Sequence, residues 1–180
     1  TSLIAARCHL DLGLGQLLFP AYPLPPGETA FSLLWKHCFT GAAERYDVLT
    51  PEITSRLERE LRVIEELGFA EYFLAVRDIV EFARSRGILY SGRGSAGNSI
   101  VSYVLRITDA DPIANELLFE RFLNPARIEM PDVAIDFDSA RRAEAISYIY
   151  ERFRHDSVAM VAPVNPVPPP PAVPSVRRPV

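Results

Sequence analysis

From residue 28 onward, apolar positions recur at the three-to-four spacing of a helix, and polar punctuation cuts them into segments. Residues 28–46 place Phe31, Leu34, Trp35 and Cys38 on one face. Thr50 followed by Pro51 is a helix start, because the threonine hydroxyl can take a free amide and proline needs no donor in the first turn. The stripe after it is Ile53, Leu57, Leu61 and Ile64, and Gly68 ends it. A second stripe, Phe73, Val76, Ile79, Val80 and Ala83, runs to Gly87. The period then shortens. Ile88-Leu89-Tyr90 reads as a strand, and Ala96 to Leu105 as a helix with Ser95 as its cap. Asp109 to Pro112 breaks that helix, Leu117 to Phe122 suggests a short one, and Asn124-Pro125 ends it. Val133 to Phe137 is the next strand. Ser139 should cap a last helix, with Ala143, Ile146, Tyr150 and Phe153 along one face.

The two ends read differently. Residues 1–27 contain Phe19-Pro20 and Pro23-Leu24-Pro25-Pro26-Gly27, an extended connector. From Pro163 to Val180, eight of 18 residues are proline and apolar periodicity stops. Such a segment favours polyproline II and cannot offset its ordering entropy by burial, so it is expected to be disordered. No internal repeat is visible. The overall pattern predicts an α+β, helix-rich domain.

At 180 residues and 48% hydrophobic content the chain can build one sizeable core. No run approaches the roughly 18 apolar residues of a membrane span. Cys8 and Cys38 are isolated, without metal-ligand spacing, and fit inert thiols in a reducing cytoplasm. A formal net charge of −4 argues against a free-standing nucleic-acid binder, whose affinity comes largely from neutralising phosphates. Contact with a polynucleotide would need a local patch or help from elsewhere.

Two segments carry candidate chemistry. In Ser91-Gly92-Arg93-Gly94-Ser95, glycines allow close backbone approach to an anion, Arg93 offers a bidentate phosphate donor, and Ser95 a hydroxyl. A following helix N-terminus would add free N–H groups. A plain strand-to-helix turn would also use glycine and a cap. The spacing is neither that of a P-loop nor that of a dinucleotide fingerprint. In Met130 to Phe137, alternate residues of a strand share a face, which would align Asp132, Ala134, Asp136 and Asp138. Carboxylates two apart on a strand can hold two Mg2+ ions about 3.5–4 Å apart for phosphoryl transfer. A solvated edge strand with acidic ends accounts for the same residues.

These blocks resemble the bacterial C-family DNA polymerases, the DNA polymerase III alpha family, and most of all its error-prone, damage-inducible branch. The likeness is carried in order by Glu65 to Phe69 with Tyr72-Phe73-Leu74, Phe82 to Ile88, and Gly92 to Ser99. It continues through Ile107 to Pro112, Leu117 to Pro125, Pro131 to Phe137, and the helix from Arg141-Arg142 to Arg154. The resemblance implies three parts. Residues 1–25 would be the end of a metal-dependent phosphoesterase-like (PHP) domain, with His9 structural. Residues 26–162 would be the first part of a palm of the beta-type nucleotidyltransferase fold. Residues 163–180 would be the proline-rich tail, whose abrupt start resembles a frameshift followed by an early stop.

By the same resemblance, Arg93, Gly94, Ser95 and Arg127 would contact the triphosphate of an incoming deoxynucleotide. Asp136 would be a catalytic residue and Mg2+ ligand, and primer-template DNA the substrate, with other replication or mutagenesis proteins as partners. The family strand reads Pro-Asp-x-Asp-x-Asp-Phe, and this chain has Ala134 at the second aspartate. The neighbouring acidic positions on that face lie about 6.6 Å away along a strand. DNA-directed DNA synthesis is therefore expected by family and not from this chain alone. The alternative is a non-catalytic, nucleotide-binding palm remnant or an interaction module.

Overall fold

The computed structural model describes residues 2–5, 7–8, 21–126 and 130–161. After a single turn, α1 (Ser2–Ala5), the fold rests on three long helices: α2 (Ala30–Arg45), α3 (Pro51–Glu66) and α4 (Ala70–Ser85). α2 begins at a capping box in which the Thr29 hydroxyl accepts from the Ser32 amide and Ser32 Oγ accepts from the Thr29 amide. Thr50 caps α3 through the Ile53 amide, with Pro51 in the first turn as expected. Gly68 and Gly87 take positive φ after α3 and α4, where a side chain would be strained.

The helical stripes meet in one core. Leu34 and Cys38 from α2, Ile53, Leu57, Leu61 and Ile64 from α3, and Phe73 and Val80 from α4 are all buried. Each such apolar side chain contributes roughly 1.5–3 kcal/mol on burial. α5 (Ile100–Val104) lies against α2 and α3. Its approach to α2 depends on Gly41, where a Cβ would sit 2.2 Å from the Val104 carbonyl oxygen.

β1 (Tyr90–Arg93) and β2 (Ala134–Phe137) form an antiparallel pair, with Tyr90 opposite Phe137, Ser91 opposite Asp136, Gly92 opposite Ile135 and Arg93 opposite Ala134. Tyr90 and Ile135 face the core. α6 (Arg142–Phe153) packs on α4. There Phe82 and Tyr148 stack at 3.9 Å, and Asp78 accepts from the Tyr148 hydroxyl and from Arg152 Nε.

The coarse α+β expectation holds, and several local expectations change. β1 runs Tyr90–Arg93, not 88–90, because Gly92 can slide against the Ile107 backbone. The helix expected over 96–105 is a 3-10 turn, Gly94–Asn98, followed by α5, and Ser99 rather than Ser95 is the cap, accepting from the Ser102 amide. The short helix expected at 117–122 is a 3-10 turn, Phe119–Arg121. Ser139 does not cap α6. Asp138 makes that turn, its carboxylate accepting from the Ala140 amide and its carbonyl from the Arg141 and Arg142 amides. Of the face expected on α6, Phe153 is buried and Ile146 and Tyr150 are half-buried, while Ala143 is exposed and Ala145 is buried in its place, with α6 oriented by the Phe82–Tyr148 stack. His9, Arg127 and residues 163–180 lie outside the described residues.

Candidate functional site

The antiparallel register sends opposite residues to the same face of the pair. Ser91 and Arg93 on β1 therefore share a face with Ala134 and Asp136 on β2. On that face Ser91, Arg93 and Asp136 are exposed, while Tyr90, Gly92, Ile135 and Phe137 fill the inner side. Arg93 Nε lies 2.8 Å from Asp136 Oδ2, with the two side chains 65% and 63% exposed. The arginine of the glycine block and the aspartate of the acidic strand thus meet, although the sequence separates them widely.

The glycines have specific duties. A Cβ on Gly92 would lie 1.9 Å from the Ile107 carbonyl oxygen, so no side chain fits there. Gly94 has φ of +78° and turns the chain out of β1 into the 3-10 segment, with nothing within 4 Å of where its Cβ would be. Gly92 is thus spent on packing, and Gly94 on a turn whose outer side is open. Ser95 is the second residue of the 3-10 turn, and its carbonyl accepts from the Asn98 side-chain amide.

The regular helix starts later than expected, at Ile100, and amides in its first turn are already engaged. The Val101 amide donates to Glu60 Oε2 at 3.3 Å and the Ser102 amide to Ser99 Oγ at 3.2 Å. The N-terminus of α5 is engaged from within the protein, and Arg93 and Gly94 are the exposed residues at the end of β1.

On the acidic strand only Ala134 and Asp136 of the four aligned positions lie within β2. Asp132 precedes the strand, and Asp138 serves the turn into α6. Among the described residues no three His, Cys, Asp or Glu side chains converge as a metal site. One carboxylate, facing an arginine, does not fit a two-metal arrangement. It fits at most a single Mg2+ whose remaining ligands are phosphate oxygens and water. A cavity of about 280 Å3 borders Asp136 between β2 and α6, lined also by Phe137, Arg142, Ala145 and Ile149.

Residue pattern alone passed over Glu60 and Arg56. Glu60 is 0% exposed in the middle of α3, and burial pushes its carboxyl up to about 7 against the pull of Ser99, Arg56 and the Val101 amide. A signal existed: a glutamate three residues after Leu57 falls on the apolar stripe of α3.

Residues 32–178 match the family described as the bacterial DNA polymerase III alpha NTPase domain. The chain belongs to the bacterial DNA polymerase III alpha family. It is 47% identical over 161 residues to an error-prone DNA polymerase of Symbiobacterium thermophilum, covering 89% of this chain and 15% of that protein. It is 46% identical over 163 residues to a DNA polymerase III subunit alpha of Halalkalibacterium halodurans, with the same two coverages. A DNA polymerase III subunit alpha of Bacillus subtilis is 44% identical over 159 residues, covering 88% of this chain and 14% of that protein. The chain therefore spans about 15% of the length of these DNA polymerase III alpha relatives. Both the error-prone and the subunit alpha designations occur among them. No helix among the described residues is long and apolar enough to cross a membrane.

Proposed function

We propose that this chain is the nucleotide-gripping part of a DNA polymerase palm, and that it binds a deoxynucleoside triphosphate without polymerising it alone. The observation that carries this reading is the meeting of Arg93 and Asp136 on one exposed sheet face. A guanidinium there can hold phosphate oxygens in a bidentate fashion, and the open Gly94–Ser95 turn can receive them beside it. Arg127 would reach the same phosphates from the segment after Asn124-Pro125.

In a complete polymerase, acceleration comes from positioning and from stabilising charge on the transferring phosphoryl group. Asp136 would contribute one oxygen ligand to a Mg2+ ion carried by the nucleotide, which supplies charge neutralisation when bound. Ala134 supplies no second ligand. Primer-template DNA is the proposed partner of the whole polymerase, at a site this acidic segment cannot hold by its own charge.

The test is a calorimetric titration of the chain with a Mg2+–deoxynucleoside triphosphate complex, beside a primer-extension assay. Binding in the wild type, at least tenfold weaker in Arg93→Ala, together with no template-dependent extension, is the expected result. Wild-type affinity in Arg93→Ala would refute the assignment, and extension above background would refute the lack of catalysis.

A further inference from the structure

Two charged side chains of α3 hold the chain just after the candidate Gly94–Ser95 turn. Glu60 Oε2 accepts from Ser99 Oγ at 2.7 Å and from the Val101 amide at 3.3 Å. Its other oxygen accepts from Arg56 Nε at 3.1 Å. Arg56 Nη2 then donates to the Asn98 carbonyl at 3.1 Å and to the Leu117 carbonyl at 2.5 Å. One guanidinium thus joins the end of the Gly94–Asn98 turn to the residue just ahead of the Phe119–Arg121 turn, from which the chain continues toward Arg127.

Burying this pair is a poor way merely to stabilise a core. Two charges lose hydration that their attraction returns only with good geometry, and apolar residues of similar volume often hold a core as well or better. What apolar residues cannot do is fix the relative position of two backbone segments through directional bonds. Here every hydrogen-bond partner of the pair outside α3 lies in 98–101, directly after the Gly94–Ser95 turn, or at 117.

We infer that Arg56 and Glu60 are positioning residues for nucleotide binding, holding the Gly94–Asn98 turn, which carries Ser95, in place against the segment at Leu117. The inference rests on the nucleotide-binding reading above. Neither residue touches the nucleotide. Arg56 acts through the Asn98 and Leu117 carbonyls, and Glu60 acts by orienting Arg56 and clamping Ser99.

The experiment uses the full chain and compares wild type, Arg93→Ala, Glu60→Gln, and the double variant Arg56→Leu with Glu60→Leu. Each is melted, titrated with a Mg2+–deoxynucleoside triphosphate complex, and followed by amide hydrogen exchange. The double variant should melt no lower than wild type, yet bind at least tenfold more weakly. It should also exchange faster in peptides covering 92–101 and 117–123. Glu60→Gln keeps an acceptor for Ser99 but loses the charge facing Arg56, and should bind roughly threefold to tenfold more weakly even if the double variant does not fold.

Wild-type affinity in a folded double variant, or in Glu60→Gln, overturns the inference. If Arg93→Ala also binds like wild type, the nucleotide site itself is misassigned. If Arg93→Ala loses affinity while the α3 variants keep it, only the positioning role fails. Absence of binding by wild type overturns both.

Discussion

Arg93 and Asp136 face each other diagonally across the β1–β2 pair, Nε to Oδ2 at 2.8 Å, each side chain mostly in solvent. Their pairing brings a cation suited to phosphate and an anion suited to metal into one place. Because both are exposed, the ion pair adds little to stability, about 0–1 kcal/mol. Each partner is therefore available to a ligand at small cost.

The first prediction follows from that exposure. Arg93→Ala should leave the urea unfolding midpoint nearly unchanged, a shift within about 1 kcal/mol, while nucleotide affinity falls tenfold or more. A large stability loss would mean that Arg93 serves the fold and not a ligand.

Restoring a carboxylate at 134 tests the metal arrangement separately. The register puts residue 134 opposite Arg93 and on the same face as Asp136. Ala134→Asp should therefore acquire a Mg2+-dependent rise in melting temperature that the wild type lacks. Occupancy at a hundred times Kd corresponds to about 2.7 kcal/mol of added stability. Identical Mg2+ responses in the two proteins would show that the pair of aspartates does not make a site in this fold.

Gly92 concerns packing, not ligand binding. A methyl group there meets the Ile107 carbonyl oxygen at 1.9 Å and its carbonyl carbon at 2.9 Å. These are backbone atoms that cannot turn aside. Gly92→Ala should destabilise by roughly 3 kcal/mol or move β1 away from its neighbour. Denaturant unfolding measures the first outcome, and an unchanged midpoint would contradict the close approach.

Glu60 gives the pH prediction. It faces Arg56 on its own helix and Ser99 on the segment across from it. Its charge also helps burial hold the Cys38 thiol of α2 far above the usual thiol range, so Cys38 stays neutral. Its folded value, about 7, lies above the ordinary 4.5. A raised carboxyl contributes stability that is complete below pH 4.5 and is lost as pH rises through about 7. Relative to Glu60→Gln, the wild type should lose on the order of 3 kcal/mol across that window. Chemical denaturation at several pH values checks this, and parallel profiles would exclude Glu60 as the titrating group.

How much of this could be read along the chain depends on the range of each cause. α3 could be read in full, since Thr50, Pro51 and the Ile53-to-Ile64 stripe act within a few residues. α6 could be read as a helix with most of its inward face, but not Ala145 in place of Ala143, because Tyr148 stacking on Phe82 and Arg152 reaching Asp78 set its rotation. β1 was displaced by two or three residues, because Gly92 reads as loop punctuation until Ile107 is seen beside it. Ser95 reads as the cap along the chain, whereas Ser99 takes that place, its hydroxyl donating to Glu60 of α3.

By itself the sequence determined the family, the order of helices and strands, and the residue types able to grip phosphate. It also determined the missing carboxylate at Ala134. The tertiary structure decided that Arg93 and Asp136 share one face. It also decided that the start of α5 is already occupied, and that Arg56 and Glu60 tie the flanking segments together. The division is physical: local spacing specifies caps, stripes and residue chemistry. Cross-strand register and buried hydrogen bonds depend on which distant segments come into contact, and that exists only once the core has formed.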